Sequence, residues 1–329
     1  MSVTQALTEE RPRLIGIAYR MLGSLADAED VVADVAVESL SADPEPDNPP
    51  GWLTTSTVRR SLDLLRRRKR ERQSYPGTWL PEPEVTDPAS SPDRAVDRRA
   101  ELSIGFLRLA ETLTAPQRAV VILRSLGYRH AEIADLLEIS AVSSRQYEYR
   151  ARRRLGAASD ELTPTGDDPA RSAPDRIGGQ GRTGEQGRTG EQGPGHDHED
   201  GDRSGPATAE LLTRFLAAAR DGDTEKLIKL LHADVVYYSD GGGQVKAARK
   251  PVAGPTTIAR FAVRVTRRGP RPDAYPILVN GRPGMIIELG GNRHVVTADV
   301  ADGLITAVYD ISNPTKLGAT RIQPANDGG

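Results

Sequence analysis

Apolar positions over the first seventy residues recur at helical spacing. Leu14, Ile15, Ala18, Tyr19 and Leu22 form one set, and Val31, Val32, Val35 and Ala36 form the next. Both sets predict amphipathic helices. Ser24 stands where a cap belongs, and Asp27 puts a charge near that helix start. The prolines of Asp43 to Pro50 (DPEPDNPP) stop the pattern, and a helix restarts near Gly51. From Ser74 to Pro92 the chain is Pro-rich and predicted extended. Helices resume near Asp93, with Leu102, Phe106, Leu109 and Leu113 as one stripe. Thr114-Ala-Pro-Gln117 reads as a capped start with an early proline and Gln at N3. Val120, Val121 and Leu123 follow, then a break at Gly127 and a short helix from His130 to Leu137.

The pattern then fades. From about Gly156 to Pro206 apolar residues almost vanish, and GRTGEQ at 181–186 repeats at 187–192. Such a segment cannot offset the entropy of ordering, so 157–206 is expected to be a flexible tether. The last part, 207–329, changes period. Helical patterns at Ala207 to Arg220 and Thr224 to Leu231 give way to strand-like runs. These are Val235 to Tyr238, Ala274 to Val279, Gly284 to Leu289, His294 to Val300 and Leu304 to Ile311, with a helix at Thr256 to Arg268 among them. Asn280-Gly281, Gly290-Gly291-Asn292 and Asp302-Gly303 are hairpin signals. The whole predicts α+β with a curved antiparallel sheet.

Composition adds little until it is read locally. The chain has 329 residues and a formal net charge of −2, so bulk charge does not announce a nucleic-acid partner. Positive charge is nonetheless clustered, and clusters are what condense onto phosphate. One cluster is TVRRSLDLLRRRKRER, with Arg59, Arg60, Arg66, Arg67, Arg68, Lys69, Arg70 and Arg72; the other is Arg145 to Leu155, RQYEYRARRRL. There are no cysteines, which excludes disulfides and thiolate metal sites and fits a reducing cytosol. The first residues, MSVTQALTEERPR, show no apolar signal core, and no stretch approaches the roughly 18 apolar residues of a membrane span. The expectation is a cytoplasmic protein with no membrane partner. His196 and His198 lack a third ligand of fixed geometry, so no metal site and no cofactor are expected.

The second cluster carries the sharper chemistry. Ala131-Glu-Ile133-Ala134-Asp-Leu136-Leu137 would pack as the first helix of a helix-turn-helix, with Ile139 in the turn, Ser140 as cap and Val142 facing inward. Arg145, Gln146, Tyr149 and Arg150 would then meet a major groove, while Arg152, Arg153 and Arg154 would hold phosphates. Arginine pairs bidentately with guanine and glutamine with adenine. The first cluster admits two readings, a DNA-backbone contact or a solvated helix end. Trp52 admits two as well, a base-stacking ring or the anchor of a small core.

These residues carry a resemblance. Ala18-Tyr-Arg-Met-Leu-Gly23, Asp27-Ala-Glu-Asp30, Trp52-Leu53 with its basic run, and the helix-turn-helix follow in order. The chain resembles an extracytoplasmic-function sigma factor of the sigma-70 family. Tyr75-x-Gly77-x-Trp79-Leu-Pro-Glu-Pro83, Ser239-Asp-Gly-Gly-Gly243 and Asn313-Pro-Thr-Lys-Leu317 are similar to the motifs of a subgroup with a carboxy-terminal SnoaL-like extension. The resemblance covers everything but the tether.

It implies a multidomain protein. Residues 1–73 would be sigma region two and 93–156 region four with the helix-turn-helix, both all-α, joined by the Pro-rich linker 74–92. After the tether at 157–206, residues 207–329 would be an α+β SnoaL-like (NTF2-like) cone. The implied function is binding of core RNA polymerase and recognition of the minus-ten and minus-thirty-five elements of promoter DNA. Asp27, Asp30 and Asp34 would meet the polymerase clamp. Asn48, Trp52, Arg59, Arg60, Asp63, Arg66 and Arg67 would engage the minus-ten element, with the loop before Gly51 cradling a flipped base. Asp240, Gly241, Gly242, Gly243, Asn313, Pro314, Lys316 and Leu317 would bring the extension against region two and the linker as a built-in regulator.

Tyr237, Tyr238, Asp240, Tyr275, His294 and Asp310 are candidate pocket groups for a small-molecule ligand. Two other readings are an isomerase or hydrolase fused to a DNA-binding front end, and a one-component transcriptional regulator. Neither needs the acidic second helix beside a basic third one. Three positions depart from the family pattern: Ala33 and Asp34 replace a common Gln-Glu, Glu138 stands where such turns often have glycine, and Tyr147 replaces a small aliphatic residue.

Overall fold

In the computed structural model, residues 2–41, 46–88, 103–162, 201–267 and 273–318 are described. The amino-terminal part is three helices: α1 (Val3–Leu22), α2 (Leu25–Leu40) and α3 (Pro49–Gln73). Ser2 caps α1 by accepting from the Gln5 N–H, and α1 stops at Gly23, which takes a left-handed φ of 70°. Ser24 then caps α2, accepting from the Asp27 N–H. Asn48 caps α3 through Oδ1 to the Gly51 N–H at 3.3 Å. Ala6, Leu14, Val32, Val35 and Leu53 form a small core among these helices, and Trp52 packs on its side.

The second helical unit holds α4 (Ile104–Ala110), α5 (Ala115–Ser125), α6 (His130–Leu137) and α7 (Ala141–Leu162). The Thr114–Gln117 capping box starts α5. In α4 the buried face is Ile104, Leu107 and Ala110, not the stripe through Phe106 and Leu109. The short helix is wedged between two neighbours, and Ile104 packs into the sheet domain while Leu107 packs into the helical core. Helix α7 runs on to Leu162, six residues past the expected boundary. The tether at 163–200, the linker end at 89–102, and His196 and His198 lie outside the described residues.

The third unit has α8 (Gly201–Asp221), α9 (Thr224–Leu230), α10 (Pro255–Thr266) and α11 (Pro314–Leu317) around one sheet. Its strands are β1 (Val85–Thr86), β2 (Leu231–Asp240), β3 (Val252–Ala253), β4 (Asp273–Val279), β5 (Arg282–Leu289), β6 (Asn292–Ala301) and β7 (Leu304–Ile311). Their order is β1-β4-β5-β6-β7-β2-β3, with β2 and β7 parallel and the other pairs antiparallel. One sheet face packs on α8, α9 and α10 through residues such as Phe215, Ile258, Val296 and Val308. The other face, with Val236, Ile277, Val295 and Ile311, receives Leu80 and Ile104 from outside the domain.

Two features go beyond expectation. The extended linker is paired at one point: Val85 and Thr86 pair with Val279 and Leu278, so the linker supplies an edge strand to a sheet formed some 190 residues later. A preformed strand edge offers unpaired N–H and C=O groups to any extended neighbour. Second, the two helical units share a core. Ile17, Met21 and Leu22 of α1 and Val58 and Leu62 of α3 pack with Leu107, Val120, Leu123, Ile133 and Leu136 of the second unit.

Candidate nucleic-acid interface and linker latch

The solvent face of α7 presents Arg145, Gln146, Tyr149, Arg150, Arg152 and Arg153 together, all exposed. Their placement follows from what α7 buries. Ser144 and Ala151 are fully buried and Tyr147 packs on the shared core, so the residues between them turn outward. Tyr147 thus replaces a small aliphatic residue by filling space below the helix. Val142 does not face inward; it is 56% exposed. Ser144 takes the inner position and meets His130 Nδ1 at 2.9 Å. Glu148 accepts from Arg152 and lies 3.1 Å from His130 Nε2, which ties the two helices of the turn together.

On α3 the arginines from Arg59 to Arg68 are occupied. Arg59 pairs with Glu138 at 2.8 Å. Arg60 pairs with Asp34 at 3.1 Å and Glu38 at 2.7 Å. Arg66 pairs with Asp63 at 2.9 Å, and Arg67 Nε donates to the Asp63 carbonyl at 3.4 Å. Arg68 pairs with Asp27. Asp27 is therefore set apart from Asp30 and Asp34. It is buried, because its carboxylate faces inward to Arg68, whereas Asp30 and Asp34 stay on the outer face of α2. Val37 and Leu40 lie on the same outer face, 68% and 64% exposed. Sequence reasoning missed them, although spacings of four and three residues from Ala33 mark a second apolar stripe.

The sheet domain grips the linker through one carboxylate. Asp240 ends β2 with its side chain wholly buried. Its Oδ1 accepts from Tyr75 Oη at 2.6 Å and from the Gly242 N–H at 3.0 Å. Its Oδ2 accepts from the Leu80 N–H at 2.9 Å and from Lys316 Nζ at 2.6 Å. Lys316 Nζ also donates to the Leu80 carbonyl. It stands 4.2 Å from the Trp79 ring centroid and 5.1 Å from that of Tyr75, a cation over two aromatic faces. Asn313 caps α11 through the Thr315 N–H and donates from Nδ2 to Tyr75 Oη at 2.9 Å. A Cβ on Gly242 would come 2.4 Å from Asn313 Cγ, so only glycine fits this loop against α11. Burial, then the Asp240 hydrogen bond, raises the Tyr75 pKa well above the ordinary phenol range and keeps it a donor.

A second set of contacts, which the sequence did not reveal, ties the linker to the first helical unit. Glu82 N–H donates to the Gly23 carbonyl at 2.8 Å, and Glu82 Oε2 accepts from the Leu25 N–H at 2.7 Å at the start of α2. Tyr19 Oη donates to the Glu82 carbonyl at 2.6 Å and accepts from Asn280 Nδ2 at 2.8 Å. Asn280 N–H donates to the Glu84 carbonyl at 2.8 Å, and Asn280 Oδ1 accepts from the Glu84 N–H at 3.2 Å. The Asn-Gly turn therefore serves as a hairpin and as a plug into the helical unit.

A third set reaches the second helical unit. Arg108 lies 3.8 Å over Tyr238, which stacks on Tyr309, and Tyr309 Oη donates to Asp299 at 2.8 Å. A Cβ on Gly105 would sit 2.3 Å from Asp299 Oδ2. A bare glycine lets α4 approach this closely.

The candidate pocket groups divide between the two faces of the sheet. Tyr237, His294 and Asp310 come together on the helix-covered face. Tyr237 Oη donates to Asp310 at 2.5 Å, and His294 Nδ1 lies 2.8 Å from the other carboxylate oxygen. Burial disfavours the imidazolium, but the charge and hydrogen bond of Asp310 outweigh it and raise the His294 pKa. Tyr275 does not join them. It packs with the opposite cluster, as do Tyr238 and Asp240, because strand residues of opposite parity point to opposite faces. A cleft of about 310 Å³ opens beside α11 instead, lined by Glu288, Arg293, Ser312, Pro314 and Leu317. Among the described residues no three His, Cys, Asp or Glu side chains cluster as a metal site, and no helix is long and apolar enough to cross a membrane.

Comparison with known proteins adds to this geometry. Residues 7–71 match Sigma-70 region 2, and residues 104–155 match Sigma-70 region 4. The chain is 30% identical to the ECF RNA polymerase sigma factor SigJ of Mycobacterium tuberculosis, covering 97% of this chain and 96% of that protein. It is 24% identical to the probable ECF RNA polymerase sigma factor SigI of the same organism over 98% of this chain and 97% of that one. The crystal structure of the extracytoplasmic-function sigma factor SigJ superposes with a TM-score of 0.68 at 27% identity, covering 95% of this chain and 97% of that one.

Proposed function

From the premise that the chain belongs to the extracytoplasmic-function family of RNA polymerase sigma factors, we propose that its SnoaL-like extension regulates promoter engagement by holding the linker and both helical regions together. The protein binds core RNA polymerase and directs it to promoter DNA. The finer assignments are our reading. Residues 1–73 act as region two, 74–92 as the linker, 93–162, to the end of α7, as region four, 163–200 as the tether, and 201–329, from the start of α8, as the regulatory extension.

The observation that carries this reading is the Asp240 latch. One buried carboxylate collects Tyr75, Leu80 and Lys316, so the path of the linker is set by the extension. Spacing supplies the functional consequence. The minus-ten and minus-thirty-five elements lie about 25 base pairs apart, or about 85 Å at roughly 3.4 Å per pair. Two helical modules of about 60 residues, each roughly 25 Å across, cannot span that distance while they share a core. Promoter binding requires them to separate, and the extension holds contacts to both. In this arrangement Asp30 and Asp34, with Val37 and Leu40, offer an acidic and apolar face to the polymerase clamp.

The extension works by these contacts, not by catalysis. Its Tyr237–Asp310–His294 group, on the adjoining strands β2, β7 and β6, is a candidate for a small-molecule ligand, and Asp310 adjoins Ile311, the register partner of Asp240. The protein acts in the cytoplasm, where polymerase and promoter are.

The direct test is transcription in vitro with core polymerase, full chain against a version ending at Leu162. The truncated chain is expected to initiate with a different output at every promoter tried. Equal output at all of them would remove the regulatory role and leave the sigma assignment standing. For the recognition helix, Arg145→Ala is expected to weaken upstream-element binding by about 1–3 kcal/mol at its cognate base pair. Arg152→Ala is expected to weaken all sequences alike and to reduce the slope of log affinity against log salt by about one. Competition binding over a salt series separates the two.

A further inference from the structure

We infer that Glu138 is a built-in competitor for promoter DNA. From the turn of the helix-turn-helix its carboxylate occupies Arg59, a residue of the helix read above as the minus-ten reader. The inference rests on that reading of Arg59 and goes one step beyond it.

Glu138 ends α6 with φ 54° and ψ 45°, one of three non-glycine residues with positive φ among those described. The left-handed region costs an ordinary side chain roughly 1 kcal/mol or more, which a glycine avoids. The other two, Asn280 and Asp302, are types that tolerate this region and sit in hairpin turns. Glutamate is not such a type. The turn itself gains nothing from it: the Glu138 and Ile139 N–H groups both reach the Ala134 carbonyl through the backbone, which glycine would do equally well. What the side chain adds is Oε1, 2.8 Å from Arg59 Nη2.

Arg59 is held twice. Its Nε also donates to the Leu136 carbonyl at 3.4 Å, one of the carbonyls left free at the end of α6. A guanidinium at a helix C-terminus beside a carboxylate meets negative charge of the kind that a phosphate presents. The same contact sits at the edge of the core shared by the two regions, where Val58 and Leu62 of α3 pack with Ile133 and Leu136 of α6. On the other side of that core, Arg13 of α1 pairs with the Tyr128 hydroxyl. Arg59 therefore has two exclusive positions. In the packed arrangement it caps region four; on the promoter it has left.

Both partners are partly exposed, with side chains 46% and 73% accessible, so the pair is a modest bias and not a lock. That size suits a competitor that promoter DNA must displace.

The test measures promoter occupancy against concentration of the full chain at a fixed, limiting amount of core polymerase. The DNA is a duplex that the wild-type holoenzyme selects from a random pool. Glu138→Gln keeps the side-chain size and the left-handed backbone but removes the charge. It is expected to lower the half-maximal concentration by about two- to fivefold, the range of an exposed pair. Glu138→Gly is expected to lower it at least as far, with the turn intact. In an Arg59→Ala background Glu138→Gln should give no gain, because the coupling has lost its other half. If Glu138→Gln matches wild type while Arg59→Ala binds poorly, the competitor role is wrong and the reading of Arg59 survives. A gain from glycine alone also overturns it, since that gain comes from backbone relief. If Arg59→Ala occupies the promoter as well as wild type, the reading of Arg59 fails and the inference goes with it.

Discussion

Replacing Asp240 with alanine is expected to destabilise the extension by about 3–5 kcal/mol, the cost of stranding one member of a buried ion pair. Lys316 would remain in a site where its side chain is 13% exposed, beside the Leu80 carbonyl and two aromatic faces, with the Asp240 carboxylate gone. Tyr75 Oη and the Leu80 N–H would lose their acceptor at the same time. For a domain of this size the first thermal transition should fall by about 12–20 °C. The linker between Tyr75 and Pro83 should also become open to proteolysis, since its hold on β2 is gone. Adding Lys316→Met should return part of the lost stability, because the stranded charge is removed and the long apolar side chain still lies on the Trp79 ring. That partial return is the discriminating result. A melt unchanged within about 2 °C, or a double variant worse than the sum of the singles, would show that Asp240 does not carry the latch.

Arg118→Met is expected to stabilise the packed arrangement by about 1–3 kcal/mol, against the usual direction of a core substitution. The Arg118 side chain is 2% exposed and pairs with Glu111 through Nη1. Its Nε and Nη2 find no partner among the described residues. Burial lowers its pKa to about 9, still above neutrality, so the charge stays on and two donors are left without acceptors. Nη2 points at the junction of three segments: a Cβ on Gly23 would lie 3.6 Å from it and 2.8 Å from the Trp79 ring. Methionine fills similar space with no polar atom to satisfy. Glu111, whose side chain is 18% exposed, can turn to water. The melting temperature should rise by several degrees and transcription should fall, because the arrangement that must open has become tighter. A lower melting temperature would mean that the Glu111 pair outweighs the two stranded donors.

Much of the local structure is legible because its causes are local. Ser24 and the Thr114–Gln117 box cap helices through their own side chains. The Gly127 break and the Asn280-Gly281 and Asp302-Gly303 turns need φ values that few residues accept. Where the reading slips, a distant partner intervenes. Asp27 has the same charge and helix position that suggest a polymerase contact, yet Arg68 draws it inward. The apolar stripe of α4 is misplaced because the helix serves two cores, and a single periodicity cannot report both. Tyr275 separates from His294 because strand parity depends on a register that only the paired sheet defines.

By itself, the sequence determined three modules, the two basic helices and the motif residues of the extension, since periodicity, caps and charge clusters are written within a few residues of where they act. The tertiary structure alone decided that the linker becomes an edge strand, that Asp240 gathers four donors, and that most of the arginines of α3 are already engaged. The long-range pairings among them span 22 to about 190 residues, from Arg60 with Glu38 to Val85 with Val279. No local pattern encodes which of many compatible partners a buried carboxylate or an exposed strand edge will meet; that choice is made by packing.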